Sequence, residues 1–260
     1  MKRVATALVL VPVVVWVVLA APEWALKAVL AAIGLIAFHE YDQIAGENDL
    51  HRPGWAGMIA GLAFMVAPAP DVVIVMAAIV GMLLALRVRD LKDALAGSAV
   101  FVFGVVYIFG AWRCAIALHA ISPHWLMFAL LLSWIGDTAA LYVGKTFGRH
   151  RMAPRVSPGK TWEGAAGSLA GGVIGGVVYA HFFFSGVPWF QVAGLAAVGN
   201  VAGQVGDLCE SAMKRGAGVK DSGTSLPGHG GWLDRIDSTL FSVPAVYGVF
   251  VIVEHLGSAF

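Results

Sequence analysis

Long apolar runs follow one another along almost the whole chain, and they set the first constraint on its fold. The hydrocarbon core of a bilayer is about 30 Å thick, and a helix of roughly 20 apolar residues crosses it. Runs of about this length recur between residues 4 and 256. Only 13% of the 260 residues are charged, against about 25% in soluble domains. The sequence therefore predicts an all-α, polytopic integral membrane protein and excludes an ordinary soluble domain.

Nine transmembrane helices are predicted from these runs. They cover residues 4–21, 24–42, 54–69, 71–88, 97–118, 124–144, 162–184, 189–208 and 239–256. Pro68 and Pro70 separate the third run from the fourth, because proline breaks a helix. The first run also has the features of a signal peptide, but it is long for one and further spans follow it. We interpret it as the first helix.

The basic residues indicate how the chain is oriented. If the N-terminus is cytoplasmic, nine alternating spans leave 15 of the 17 Lys and Arg residues on the inner side. The positive-inside rule then predicts that loops 145–161 and 209–238 are cytoplasmic and that the C-terminus is outside. No long basic tract is present, so nucleic acid is not an expected partner. Cys114 and Cys209 have no CxxC partner and indicate neither a disulfide nor a thiolate metal site.

A carboxylate lies well inside the sixth predicted span. A charged group at mid-bilayer costs at least about 2.5–3.5 kcal/mol on insertion scales. Asp137 should therefore face a polar cavity or a partner. A structural hydrogen bond within the helix bundle is the alternative interpretation.

Acidic and polar residues recur at helical spacing at the ends of two spans. At the end of the eighth they are Asp207, Glu210, Ser211 and Lys214, and at the start of the ninth Asp234, Asp237 and Ser238. Residues three and four apart share one face of a helix. A solvated helix end would explain part of the first set, and helix capping would explain Asp237. If the two ends converge, they would suit Mg²⁺, which takes one or two carboxylates together with substrate phosphates.

The loop between these two ends is rich in glycine, hydroxyl groups and cations. It begins with Lys220 and Asp221 and includes His229. Glycines let backbone N–H groups approach a phosphate, and basic side chains supply charge. Lys160 and Thr161, on the preceding loop, add further candidate phosphate ligands. Ordinary turns are the alternative interpretation of such segments.

Residues 211–237 resemble the signature of the phosphatidate cytidylyltransferases, also called CDP-diacylglycerol synthases. The matching positions are Ser211, Lys214, Arg215, Lys220, Asp221, Gly223, Leu226–Gly231 and Leu233–Asp237. The resemblance extends upstream through Asp137, Thr138, Tyr142, Gly144, Lys145, Phe147, Gly148, Ser157–Gly164, Gly206 and Asp207. Trp232 departs from it, since the family usually places a smaller aliphatic residue or Phe there. Residues 1–120 match only as a pattern of apolar helices.

The resemblance implies transfer of CMP from CTP to phosphatidic acid, with release of pyrophosphate. Mg²⁺ is the implied cofactor. A second, monovalent cation is a further hypothesis. The metal ligands would be Asp207 and Asp234, with Asp137 and Asp237 as further lining. Asp207, Ser211, Lys214 and Asp234 would be catalytic. The substrates would contact Lys160, Thr161, Arg215, Lys220, Asp221, His229 and Arg235.

A bacterial-type inner membrane, with the active site on its cytoplasmic side, is the expected location. Residues 1–120 would then be a scaffold for lipid access or oligomer contacts, and residues 121–260 the catalytic region. A homodimer is a further hypothesis. Two other enzymes, a CTP-dependent polyprenol kinase and an ether-lipid cytidylyltransferase, would share the nucleotide site but not the lipid acceptor. A transporter would also carry intramembrane carboxylates, but the inverted repeat typical of transporters is not seen.

Overall fold

The computed structural model describes residues 2–87, 90–225 and 230–255, and most of them are helical. The elements in chain order are α1 (Lys2–Leu19), α2 (Glu23–Glu47), α3 (Gly54–Val66), α4 (Pro70–Ala85), a 3₁₀ turn (Leu91–Asp93), α5 (Ala94–Gly104), a π-helical turn (Val105–Gly110), α6 (Ala111–Ile121), α7 (Pro123–Phe147), β1 (Arg151–Ala153), β2 (Ser157–Thr161), α8 (Trp162–Phe183), α9 (Trp189–Gly216), α10 (Leu233–Ile236) and α11 (Thr239–His255). The segment 91–121 is thus one unbroken helical run.

Six helical segments within the described residues are long and apolar enough to cross a membrane. They are Glu23–Glu47, Leu91–Ile121, Pro123–Phe147, Trp162–Phe183, Trp189–Gly216 and Leu233–Val253. Three shorter apolar helices are Leu10–Leu19, Gly54–Val66 and Pro70–Ala85. The fold is therefore that of a polytopic membrane protein, as predicted. The count of nine crossings and the orientation stay predictions.

Two local features differ from the sequence-based expectation. The loop 145–161 contains an antiparallel hairpin, in which Arg151 pairs with Thr161 and Ala153 pairs with Ser157. The spacing of Asp234, Asp237 and Ser238 predicted one helical face, and this was wrong. Asp234 lies in α10, but Asp237 and Ser238 form the turn between α10 and α11.

The chain divides into two compact units. Unit 1 contains the N-terminal residues through Val17, Ala21–Ile116 and Met213–Ile236. Unit 2 contains Val18–Ala20, Ala117–Ala212 and the residues from Asp237 onward. The end of α9, the following loop and α10 thus belong to unit 1, together with α2.

Aromatic rings fill the interior of unit 1. Phe38 of α2 lies 5.6 Å from Phe109 and 5.8 Å from Tyr41, measured between ring centroids. The hydroxyl of Tyr41 donates to the carbonyl of Val100 at 2.9 Å. This packing fixes α2 against the helical run 91–121, and it leaves Glu40 on α2 almost fully buried.

Close packing of small residues holds α7 against α8 in unit 2. A Cβ added to Gly167 would lie 2.6 Å from the side chain of Val143, and one added to Gly171 would lie 2.7 Å from Ala139. Gly167, Gly171 and Gly175, four positions apart on α8, thus each admit a side chain of α7. Small residues at helix interfaces allow this close approach in membranes.

Candidate active site

A polar cavity of about 650 Å³ opens within unit 2 between α7, the hairpin, α8 and α9. Ligand pockets usually measure about 300–1,000 Å³, so the volume suits a nucleotide. Its charged lining residues are Asp137, Lys145, Arg151, Lys160 and Asp207. Three cations and two carboxylates around one cavity are an arrangement suited to a polyphosphate and a metal ion.

Lys160 and Asp207 form an ion pair on the wall of this cavity. The Lys160 Nζ atom lies 2.6 Å from Asp207 Oδ2. The Ser211 hydroxyl, one turn further along α9, donates to Asp207 Oδ1 at 3.4 Å. Both charged side chains remain partly open to solvent, with 26% and 32% of their surface exposed. The structure therefore brings together three of the residues that the sequence selected.

Glu163 and Thr161 fix the hairpin that carries Lys160. A Glu163 carboxylate oxygen accepts the backbone N–H groups of Arg149 at 3.1 Å and His150 at 3.2 Å. The buried Thr161 hydroxyl accepts the N–H of Gly164 at 3.1 Å and so caps α8. Thr161 also lines the cavity, and its predicted contact with substrate stays a prediction.

Four carboxylates gather near the turn that precedes α11. Asp207, Glu210 and Asp137 all lie within electrostatic range of Asp237. The backbone of α9 comes close to this turn at Gly206. A Cβ on Gly206 would lie only 2.8 Å from the carbonyl oxygen of Asp237. Repulsion among neighbouring carboxylates is relieved when one of them takes up a proton or when a cation binds near them.

The donor chemistry of this acidic group fits Mg²⁺, which prefers oxygen ligands. Among the described residues, no three acidic, imidazole or thiol side chains already stand in the arrangement of a metal centre. Mg²⁺ does not require such a cage, because it is usually held by one or two carboxylates with water and substrate phosphates. Asp207 and Asp137 both line the cavity and could supply the carboxylates.

The predicted catalytic residues Lys214 and Asp234 lie in unit 1. Lys214 Nζ forms a short ion pair with Asp234 Oδ1, and both side chains are more than nine-tenths buried. Asp234 Oδ2 accepts the backbone N–H groups of Ser222 at 2.9 Å and Gly231 at 2.8 Å. Both oxygens of Asp234 therefore already accept hydrogen bonds that shape the loop, and its role as a metal ligand stays a prediction.

The remaining predicted substrate contacts lie on the same loop and on its flanks. Arg215 donates to the carbonyl of Val219 at 2.9 Å. Lys220, Asp221 and Arg235 are exposed. His229 lies outside the described residues.

Four polar side chains that line the unit 2 cavity were not among the predicted site residues: Lys145, Arg151, Ser168 and Gln204. Gln204 donates to the carbonyl of Ala165 at 3.3 Å and to Asn200 Oδ1 at 2.7 Å. It precedes Asp207 by three positions, so the helical spacing used for the acidic residues could have identified it.

The model of the cytidylyltransferase family matches residues 1–253. The chain belongs to the cytidylyltransferase family. A phosphatidate cytidylyltransferase of Staphylococcus aureus (strain COL) is 42% identical over 121 residues, which are 46% of each chain. Another, from Haemophilus influenzae (strain ATCC 51907 / DSM 11121 / KW20 / Rd), is 37% identical over 150 residues, 54% of this chain and 51% of the relative.

A third phosphatidate cytidylyltransferase, from Staphylococcus haemolyticus (strain JCSC1435), is 37% identical over 147 residues, 56% of each chain. This chain thus spans about half the length of the curated relatives that it matches. Membership of the cytidylyltransferase family bears out the resemblance recognised in residues 137–237, and it extends the match to the N-terminal helices.

Proposed function

We propose that this protein transfers CMP from CTP to phosphatidic acid, giving CDP-diacylglycerol and pyrophosphate, at a cytoplasmic site in a bacterial inner membrane. The observation that carries the proposal is the unit 2 cavity, where Lys145, Arg151 and Lys160 stand beside Asp137 and Asp207. Family membership and the printed names of the relatives support the choice of nucleotide and lipid.

The reaction joins two phosphates. A non-bridging oxygen of the lipid phosphate forms a bond to the α-phosphorus of CTP. The bond between that phosphorus and the oxygen bridging to the β-phosphate breaks, and pyrophosphate leaves with the electron pair. The phosphate monoester is largely ionised near neutral pH, so catalysis depends mainly on positioning and on charge neutralisation.

The cavity side chains would perform these two tasks. Lys145, Arg151 and Lys160 would neutralise the triphosphate, and Lys160 would exchange its contact with Asp207 for a contact with phosphate. Asp207 and Asp137 would hold Mg²⁺, which when bound supplies positive charge to the phosphate oxygens. Asp207, released from Lys160, is then available to the ion.

Purified protein in detergent, with labelled CTP and Mg²⁺, tests the proposal directly. Phosphatidic acid, polyprenol and diacylglycerol are supplied as separate acceptors. We expect labelled CDP-diacylglycerol only with phosphatidic acid. Phosphorylated polyprenol or diacylglycerol would instead identify a lipid kinase, and the absence of transfer to every acceptor would contradict the proposal.

Asp207→Asn provides the residue-level test of the cavity. The substitution keeps the shape of the side chain but removes its charge, so it should lower kcat/KM at least about 100-fold. Asp71→Asn is the control, because Asp71 is an exposed residue in the first turn of α4, and it should leave turnover unchanged. Near-normal turnover of Asp207→Asn would exclude this carboxylate from catalysis.

A further inference from the structure

Glu40 is a buried carboxylate, in a region that the sequence presented only as scaffold. It lies on α2, and only 2% of its surface is exposed. An ionised carboxylate accepts about four hydrogen bonds and donates none. A carboxylate removed from water must therefore find donors within the protein.

The loop that precedes α10, together with the first residue of α10, supplies all four donors. Oε1 of Glu40 accepts from the Ser225 hydroxyl at 2.7 Å and from the Trp232 N–H at 3.0 Å. Oε2 accepts from the Ser222 hydroxyl at 2.8 Å and from the Leu233 N–H at 2.9 Å. Each oxygen thus has one hydroxyl donor and one backbone donor.

Two glycines make room for this carboxylate. A Cβ on Gly223 would lie 2.9 Å from Glu40 Oε1, and a Cβ on Gly231 would overlap both Glu40 Oε2 and the Ser222 hydroxyl. The glycines at these positions therefore serve the approach of Glu40, besides any contact with phosphate.

Ser222 connects Glu40 to the ion pair of the same unit. Its hydroxyl donates to Glu40, and it also accepts the N–H of Asp234 at 3.3 Å. Asp234 in turn pairs with Lys214. A continuous line of polar contacts thus runs from α2 to the two predicted catalytic residues of this unit.

We infer that Glu40 is a positioning residue that holds the described parts of this loop, residues 220–225 and 230–233, in their working shape. The inference rests on the proposed function, because this loop carries the predicted substrate contacts Lys220 and Asp221. Glu40 acts through the loop and does not itself touch substrate. Its role explains why an apolar helix near the N-terminus carries a buried acid.

Glu40→Gln is the decisive variant. Each oxygen of Glu40 faces a backbone N–H, so either orientation of the glutamine amide turns its NH₂ group toward a donor that cannot rotate away. Asp42→Asn is a matched control, because Asp42 is a second buried acid on α2. Asp42 accepts the N–H of Gly54 at 2.7 Å and the Arg52 guanidinium at 2.8 Å, and it is 5% exposed.

Two measurements distinguish positioning from general stability. In Glu40→Gln, amide hydrogen exchange in the segment 230–236 should accelerate at least about tenfold, and KM for CTP should rise by a similar factor. In Asp42→Asn, amide hydrogen exchange should accelerate near residue 54. This variant should lose about as much thermal stability as Glu40→Gln, but its KM for CTP should stay normal. Unchanged exchange at 230–236 in a folded Glu40→Gln protein would overturn the inference, as would equal effects of both variants on KM.

Ser222→Ala covers the case in which Glu40→Gln does not fold. It removes one donor to Glu40 and leaves both backbone donors, so it should shift exchange and KM in the same direction by a smaller factor. A Ser222→Ala protein with wild-type exchange and KM would count against the inference. If wild-type protein transfers no CMP, the proposed function fails, and the exchange measurement alone still decides whether Glu40 holds the loop.

Discussion

Lys214 and Asp234 form an ion pair with almost no access to solvent, since 9% and 5% of their side-chain surfaces are exposed. Removing two charges from water is costly, and their mutual attraction offsets that cost only when the remaining donors and acceptors are satisfied. Asp234 meets this condition through the N–H groups of Ser222 and Gly231. The pair therefore gives the loop a defined shape at little net gain in stability.

Breaking the pair from one side should be more harmful than removing both charges. Lys214→Met leaves the Asp234 carboxylate without its charged partner and should lower the free energy of unfolding by about 3–5 kcal/mol. In the double variant Lys214→Met/Asp234→Asn, the amide oxygen still accepts the two N–H groups, so at least about 1 kcal/mol should be recovered. Denaturant unfolding in detergent measures this difference.

The double variant should recover stability but not enzymatic activity. We expect the double variant to remain inactive in CMP transfer, because both side chains are predicted catalytic residues. Strictly additive losses of stability would show that the two charges do not interact. Restored turnover in the double variant would show that neither charge is needed for the reaction.

Arg113 shows how a basic residue is accommodated within an apolar helix. Its guanidinium donates to the carbonyls of Phe64 at 3.0 Å and Ala67 at 2.7 Å. These carbonyls lie at the C-terminal end of α3, where a helix leaves acceptors without internal donors. The sequence located Arg113 inside a span but contained no indication of this capping role.

At the scale of elements, α9 approaches the turn before α11 through Gly206. A Cβ at this position would lie 2.8 Å from the Asp237 carbonyl, whereas a Cβ on Gly194 of the same helix would meet nothing within 4 Å. Gly206→Ala should therefore lower the free energy of unfolding by about 1–3 kcal/mol through overpacking. It should also reduce CMP transfer, because it displaces the acidic group.

Gly194→Ala is the matched control for that substitution. Alanine is the better helix former, so Gly194→Ala should be neutral or should stabilise the protein by up to about 1 kcal/mol. Thermal unfolding of both purified variants, with turnover measured in parallel, checks the pair. Equal shifts in both variants would mean that general helix propensity, and not the approach to Asp237, sets the response.

The elements that sequence could predict are those with a strong local pattern. The helical spacing of Asp207, Ser211 and Lys214 is confirmed, because α9 continues to Gly216. The hairpin 151–161 was not predicted, since Pro158 and Gly159 are more typical of turns than of strands. The break at residues 237–238 was also missed, because a spacing of three and four positions fits a turn as well as a helix.

Within the site, sequence could select residues but not their partners. Lys160 and Asp207 were both selected, and the structure places them 2.6 Å apart. Glu40 was not selected, because its donors lie 182 to 193 positions away along the chain. Local periodicity contains no information on contacts of that range.

At the scale of the whole molecule, the number of crossings determines where the two chain ends lie. If all six long helical segments and the three shorter ones cross, the N-terminus and the C-terminus lie on opposite sides. Reporter fusions should place the N-terminus and residue 218 in the cytoplasm, and residue 186 and the C-terminus outside. Both ends on one side would show an even number of crossings and would contradict the nine-span prediction.

The contacts of Glu40 also matter during synthesis of the chain. The 182 residues that separate it from Ser222 take about 10–40 s to synthesise at roughly 5–20 residues per second. During this interval α2 has left the ribosome, and the loop that satisfies its carboxylate does not yet exist. A nascent chain must therefore keep this acid hydrated at the membrane surface, or otherwise tolerated, until the last helices arrive.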